Sequence, residues 1–150
     1  MTPLSSTIEV DRPPAEVFAY VTDPSRFHEW QDGVVSGGME GDGPAAVGAK
    51  CLTTRRIGFA ERVSTSEVTV VDPPARWGVR GIDGPVRATV DVLVEALDGG
   101  GRSRLTIDLE FEGHGIGKVL VPLVVRRKAE KEMPENLRRL KGKLEASGAS

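Results

Sequence analysis

The chain runs to 150 residues, 39% of them apolar and 28% charged, with a formal net charge of −2. That length suits one ordinary domain, large enough to wrap an internal cavity, and so small a charge implies no general affinity for nucleic acid or acidic membrane. No apolar run is long enough to cross a bilayer, the single Cys51 cannot close an intrachain disulfide, and His28 and His114 are too few and too scattered for a zinc-type site.

The opening MTPLSSTIEV lacks a basic stretch leading into an apolar core, so the expectation is no secretory signal and a cytoplasmic location. Ile8 and Val10 alternate with Glu9 and Asp11, the period-two pattern of a half-buried strand. Pro13 and Pro14 follow; a proline sets a helical φ without offering an N–H, which a first helical turn tolerates. Glu16 then faces the positive end of the helix dipole, and Val17, Phe18 and Val21 supply an apolar face. Asp23 and Pro24 repeat the cap-and-proline device and open a second short helix carrying Phe27 and Trp30 on one side.

After Trp30 turn signals recur at the spacing of an antiparallel meander, and strands are predicted over 33–40, 49–57, 61–71, 76–81, 86–97 and 103–112. Gly41-Asp42-Gly43-Pro44, Gly58, Asp72-Pro73-Pro74, Asp83-Gly84-Pro85 and Gly99-Gly100-Gly101 separate them. In the last two strands Ala88, Val90, Val92 and Val94, then Leu105, Ile107, Leu109 and Phe111, alternate with polar residues, so one face is oily and one wet. The element long enough to cover the oily face is a helix over 116–145, with Ile116, Leu120, Leu123, Leu137, Leu140 and Leu144 along a stripe. Pro134, and Pro122 before it, predict a kink or a two-part helix. Its charges, Arg126, Arg127, Lys128 and Lys131 among Glu130 and Glu132, read as a solvated face with ion pairs such as Glu135 with Arg139, in preference to a partner-binding surface. The domain is expected to span 1–146, with 147–150 a frayed tail.

The double-proline opening, the Asp72-Pro73-Pro74-Ala75-Arg76-Trp77 segment, the Gly84-Pro85 turn and the long C-terminal helix together resemble the polyketide cyclase/dehydrase branch of the START-like superfamily, whose helix-grip fold is shared with the birch-pollen-allergen proteins. The resemblance covers nearly the whole chain. It implies an α+β fold in which a curved antiparallel sheet of six or seven strands wraps a long C-terminal helix, with two short helices after the first strand. The superfamily holds lipid carriers as well as cyclases, and a shared fold does not carry a shared function.

A sheet gripping a helix stays open at its mouth, and the space between them is where a ligand fits. Phe27, Trp30, Trp77, Val79, Val90, Ile107, Leu109, Leu120 and Val124 are the expected walls, with Arg55 or its neighbour Arg56 positioned to meet a ligand carboxylate. Acid–base catalysis needs a titratable group beside the substrate, and the inward faces of the last two strands offer none. Tyr20, His28, Arg55, Glu61, Arg80 and Arg127 are the candidates elsewhere; Tyr20 reads as a helix residue with its hydroxyl at the surface, His28 as a surface residue and Arg127 as a snorkelling one. Gly113-His114-Gly115-Ile116-Gly117-Lys118 fits neither nucleotide-loop pattern and reads as a turn, and Cys51 reads as a small buried hydrophobe. The expected function is therefore binding of a small hydrophobic molecule by a monomer or homodimer, with no catalytic residue, metal or organic cofactor. The alternative is a cofactor-free polyketide cyclase or aromatase acting on a poly-β-keto or aromatic substrate.

Overall fold

Strands β1 (Leu4–Val10) and β2 (Val34–Met39) occupy opposite edges of one antiparallel sheet, so the chain between them has to cross it. The computed structural model describes residues 4–40, 46–57, 59–84 and 86–147, with only the backbone of Ile57, Gly117, Leu120, Leu123 and Ser147. The crossing consists of α1 (Pro14–Val21), a 3-10 turn (Pro24–Arg26) and the single turn α2 (Phe27–Trp30). Strands β3 (Lys50–Ile57), β4 (Ala60–Asp72), β5 (Arg76–Asp83), β6 (Val86–Leu97) and β7 (Arg102–Gly113) then meander back, giving the order β1-β7-β6-β5-β4-β3-β2. This is the expected helix-grip architecture with seven strands. The expected turns at 41–44, Gly58 and Pro85, and residues 148–150, lie outside the described residues.

Local chemistry sets the crossing. Pro13 is extended, as a residue before proline prefers, and its carbonyl accepts from Glu16 and Val17 (3.1 and 3.2 Å), which starts α1. The Asp23 carboxylate accepts from the Ser25 backbone N–H at 3.0 Å and its hydroxyl at 2.6 Å, which caps the 3-10 turn.

The C-terminal helix is in parts: α3 (Gly117–Leu120), a π turn (Val121–Val125) and α4 (Arg126–Ser147). The interruption therefore falls at Pro122, and Pro134 sits inside α4 without ending it. The wider π turn absorbs the hydrogen bond that Pro122 removes. At Pro134 both the proline and Glu130, whose carbonyl loses its partner, are exposed, so water can take the bond. Of the expected stripe, Leu137, Leu140 and Leu144 are buried, joined by Met133. Ile116 is instead exposed, because it lies in the turn before α3, and the side chains of Leu120 and Leu123 are outside those described.

Two sets of hydrogen bonds hold α4 in place. At its C-terminal end the Glu145 carboxylate accepts from Asp11 N–H (2.9 Å) and Lys141 donates to the Glu9 carbonyl (2.7 Å). In its middle Arg139 donates to the Trp30 carbonyl (3.2 Å), and Asn136 accepts from Asp32 N–H (3.1 Å). Val10, Val17, Leu105 and Leu140 are completely buried in this half of the domain.

The crossing also leans on β2. A Cβ at Gly37 would lie 2.6 Å from the Pro24 carbonyl oxygen, whereas one at Gly38 would meet nothing within 4 Å. Gly37→Ala is accordingly expected to lose about 1–3 kcal/mol in urea unfolding, the usual overpacking cost, and Gly38→Ala to change little. Equal effects of the two would show that this contact does not limit the sheet edge.

Candidate functional site

Between α2, α4 and the concave face of the sheet lies a cavity of about 190 Å³. Its floor follows from strand register. Trp77, Val92 and Ile107 pair across β5, β6 and β7 in one row, and Val79, Val90 and Leu109 in the next. Side chains opposite one another in a ladder share a face, so the alternation in three separate strands merges into one apolar surface. Phe27 stands edge-on to Trp30 and to Trp77, with ring centroids 5.9 and 6.5 Å apart, and closes the floor beneath α2. The Trp30 indole Nε1 is buried without an acceptor.

The wall formed by β3 and β4 differs. Cys51, Thr53 and Arg55 face inward from β3, paired with Ser66, Ser64 and Arg62 of β4. Arg55 is half-buried, with protein packed around its guanidinium, and it borders the cavity. Burial pulls its pKa below the ordinary guanidinium value, though not far enough to discharge it. Burial likewise pushes the Cys51 thiol up, so it stays protonated, against smaller opposing effects of Thr53 and Arg55. Arg56 also borders the cavity, but its guanidinium is turned outward to Glu61 at 3.7 Å. The choice between the two arginines thus falls to Arg55.

Val124 and Val125 of the π turn, with Lys128, Glu132 and Asn136 of α4, border the cavity from the helix side. Burial, with Asp32 nearby, holds the Glu132 carboxyl above the usual carboxylate range against the pull of Lys128. Of the residues singled out in the sequence, Phe27, Trp30, Arg55, Trp77, Val79, Val90, Ile107, Leu109 and Val124 line this cavity, whereas the Leu120 side chain lies outside those described.

The remaining titratable candidates are elsewhere. Tyr20 is buried, not at the surface as expected, because Arg26 covers its ring and its hydroxyl donates to Glu29 at 2.9 Å. Burial, with that hydrogen bond, raises its pKa. His28, Glu61, Arg80 and Arg127 are exposed. Among the described residues, no three His, Cys, Asp or Glu side chains converge as a metal site, and no helix is long and apolar enough to cross a membrane.

Sequence reasoning missed Cys51, Thr53, Ser64 and Ser66. The signal was the same alternation that marked β6 and β7, but β3 carries polar residues on both faces and so offers no oily side to set its parity. Glu132 and Lys128 were read as part of a solvated face, which their i to i+4 approach of 3.9 Å partly justifies.

A sheet wrapped on a C-terminal helix over a lined cavity matches known proteins. The family model for polyketide cyclase/dehydrase and lipid transport proteins matches residues 1–145. The chain belongs to that family. A START superfamily protein from Mycobacterium smegmatis has the same fold (TM-score 0.75, 15% identity, 97% of this chain and 99% of that one). So does a protein from Thermus thermophilus (0.77, 16%, 99% of each chain). The Zhui aromatase/cyclase from a Streptomyces species is similar as well (0.71, 16%, 95% of this chain and 93% of that one). At these identities the likeness is one of fold, and no curated protein matches the chain.

In this cavity an Arg55 without a counter-charge is expected to cost stability. Arg55→Met keeps the volume and removes the uncompensated charge, so the ligand-free domain is expected to gain about 1 kcal/mol or more in thermal or urea unfolding. A loss of stability would mean that Arg55 has compensation within the protein.

Proposed function

We propose that the protein binds a small lipophilic molecule in the cavity between its sheet and C-terminal helix. The observation that carries this reading is the pair of cross-strand apolar rows, Trp77–Val92–Ile107 and Val79–Val90–Leu109, bordering a space that the helix does not fill. Its volume, about 190 Å³, is below the roughly 300–1,000 Å³ of sites for drug-sized ligands. A ligand of one or two rings suits it as it stands, and a longer one requires the π turn to shift. A π turn is a frequent feature of functional sites and here lies beside the cavity.

A second reading, a polyketide cyclase or aromatase, is supported by the family description and by Arg55 inside the cavity. General acid–base chemistry needs a group that gains or loses a proton beside the substrate. Cys51 is held protonated and Arg55 stays charged, which leaves Glu132 on the helix side as the acid bordering the cavity, while the β5–β7 floor offers no titratable group, and on that floor the carrier reading rests. If the enzyme reading is right, turnover of aromatic-polyketide precursors appears and falls at least about a hundredfold in Arg55→Ala. Tyr20→Phe and His28→Ala, whose parent side chains are not among those lining the cavity, should leave it unchanged.

For the carrier reading, an environment-sensitive hydrophobic dye is expected to bind. Val90→Trp, which fills the space at an overpacking cost of about 1–3 kcal/mol, should abolish that binding in a domain that remains folded by circular dichroism. Undiminished dye affinity in the folded variant would place binding outside the cavity.

A further inference from the structure

We infer that the ligand is a lipophilic carboxylate whose head meets Arg55 on the β3–β4 wall while its apolar body lies over the β5–β7 floor. This inference rests on the ligand-binding reading and adds the ligand's chemical class.

Arg55 is the first ground. It faces the cavity, and among the described residues it has no hydrogen bond or ion pair. The chain does not lack acids, with 22 carboxylates to 20 Lys and Arg. Arg12, Arg26, Arg56, Arg102, Arg104 and Arg138, all nearer the surface, each face a carboxylate. Arg55, which borders the cavity and is desolvated by the protein around it, has no such carboxylate among the described residues. An enclosed cation without a partner is costly, and such a cost persists where something that binds removes it.

Arg62 is the second ground. It lies directly opposite Arg55 in the β3–β4 ladder, so both side chains leave the same face of the hairpin, and its Nε is buried without an acceptor. Like charges opposed across a ladder are unfavourable, and an anion beside them reverses the sign of that interaction.

The third ground is how polarity is divided across the cavity. The Ser66 hydroxyl shares the arginine wall and can donate to a carboxylate oxygen, whereas the Thr53 hydroxyl already meets the Cys51 thiol at 3.9 Å and the Ser64 hydroxyl donates to the Val86 carbonyl at 3.3 Å. The opposite floor presents no polar side chain from Val79, Val90, Val92, Ile107 or Leu109. One polar wall facing one apolar floor matches a molecule with a single charged end. A guanidinium takes the two oxygens of a carboxylate in a fork, which makes the charged end specific.

The test is calorimetric titration of the parent, Arg55→Met and Arg62→Gln with 2-naphthoate and its neutral analogue 2-naphthalenemethanol. The parent is expected to bind the acid at least about tenfold more tightly than the alcohol, since a charge-assisted pair in an enclosed site replaces an unmet one. Arg55→Met should lose at least about tenfold for the acid and less than threefold for the alcohol, and Arg62→Gln should weaken the acid alone by a smaller factor. Should Arg55→Met fail to fold, the ratio of acid to alcohol in the parent still decides. An alcohol that binds as well as the acid, or an Arg55→Met variant that weakens both alike, overturns the inference. If neither naphthalene binds but the hydrophobic dye does, the carboxylate class is wrong and the apolar cavity stands; if the dye fails too, both readings fall.

Discussion

The apolar rows that cross β5, β6 and β7 have to be kept from water, and α4 covers them while being fastened somewhere else. Glu145 and Lys141 tie its C-terminal end to the residues that close β1, and Asn136 and Arg139 tie its middle to the end of α2. Toward its N-terminus the next breaks in the chain are the π turn and the short α3. A helix fixed by one half against a curved sheet meets it closely there and stands off at the other half. The cavity is bordered by the stretch of α4 from Lys128 to Leu137, N-terminal to the ties at Arg139, Lys141 and Glu145. At roughly 24 cal/mol per Å³, a void of about 190 Å³ forgoes on the order of 4–5 kcal/mol of packing, an upper figure since its mouth admits water. A domain of ordinary stability has only about 5–15 kcal/mol in all, so a void of that size is a large concession to binding.

The charges around the cavity follow the same logic. Several arginines nearer the surface, Arg12 and Arg104 among them, are matched by carboxylates one turn away or on a neighbouring strand, where solvent already weakens the interaction. Arg55, where a partner matters most, has none among the described residues. Stability alone favours an apolar residue at that position, and its presence there gives the cavity a direction, with a polar wall on β3 and β4 and an oily floor on β5 to β7.

How much of this was legible in the sequence depended on whether a strand had an oily side. Val90, Ile107 and Leu109 could be assigned to the cavity because each sits in a strand whose other face is polar, and Pro13 with Pro14 fixed the start of α1 for steric reasons that hold in any context. Strand β3 reads Lys-Cys-Leu-Thr-Thr-Arg-Arg-Ile, and with polar residues on both faces its parity is settled only by pairing with β4. For that reason Arg55 and Arg56 could not be separated beforehand, and Cys51, Thr53 and Ser66 were missed. Glu132 was hidden differently: a helical carboxylate close behind Lys128 and Lys131 looks solvated until the loop carrying Asp32 is brought against it. Pro134 was expected to interrupt the helix, yet its lost hydrogen bond faces water and α4 runs through it, and the interruption is the π turn that contains Pro122.

The most direct test of the central claim, an apolar cavity with one enclosed positive end, is a crystal structure of the protein with 2-naphthoate bound. The carboxylate is expected within about 3 Å of the Arg55 guanidinium, with the rings over Val79, Val90 and Leu109 beneath the π turn. Naphthoate found outside the cavity, or inside it with its carboxylate turned away from Arg55 toward Lys128, would contradict the account.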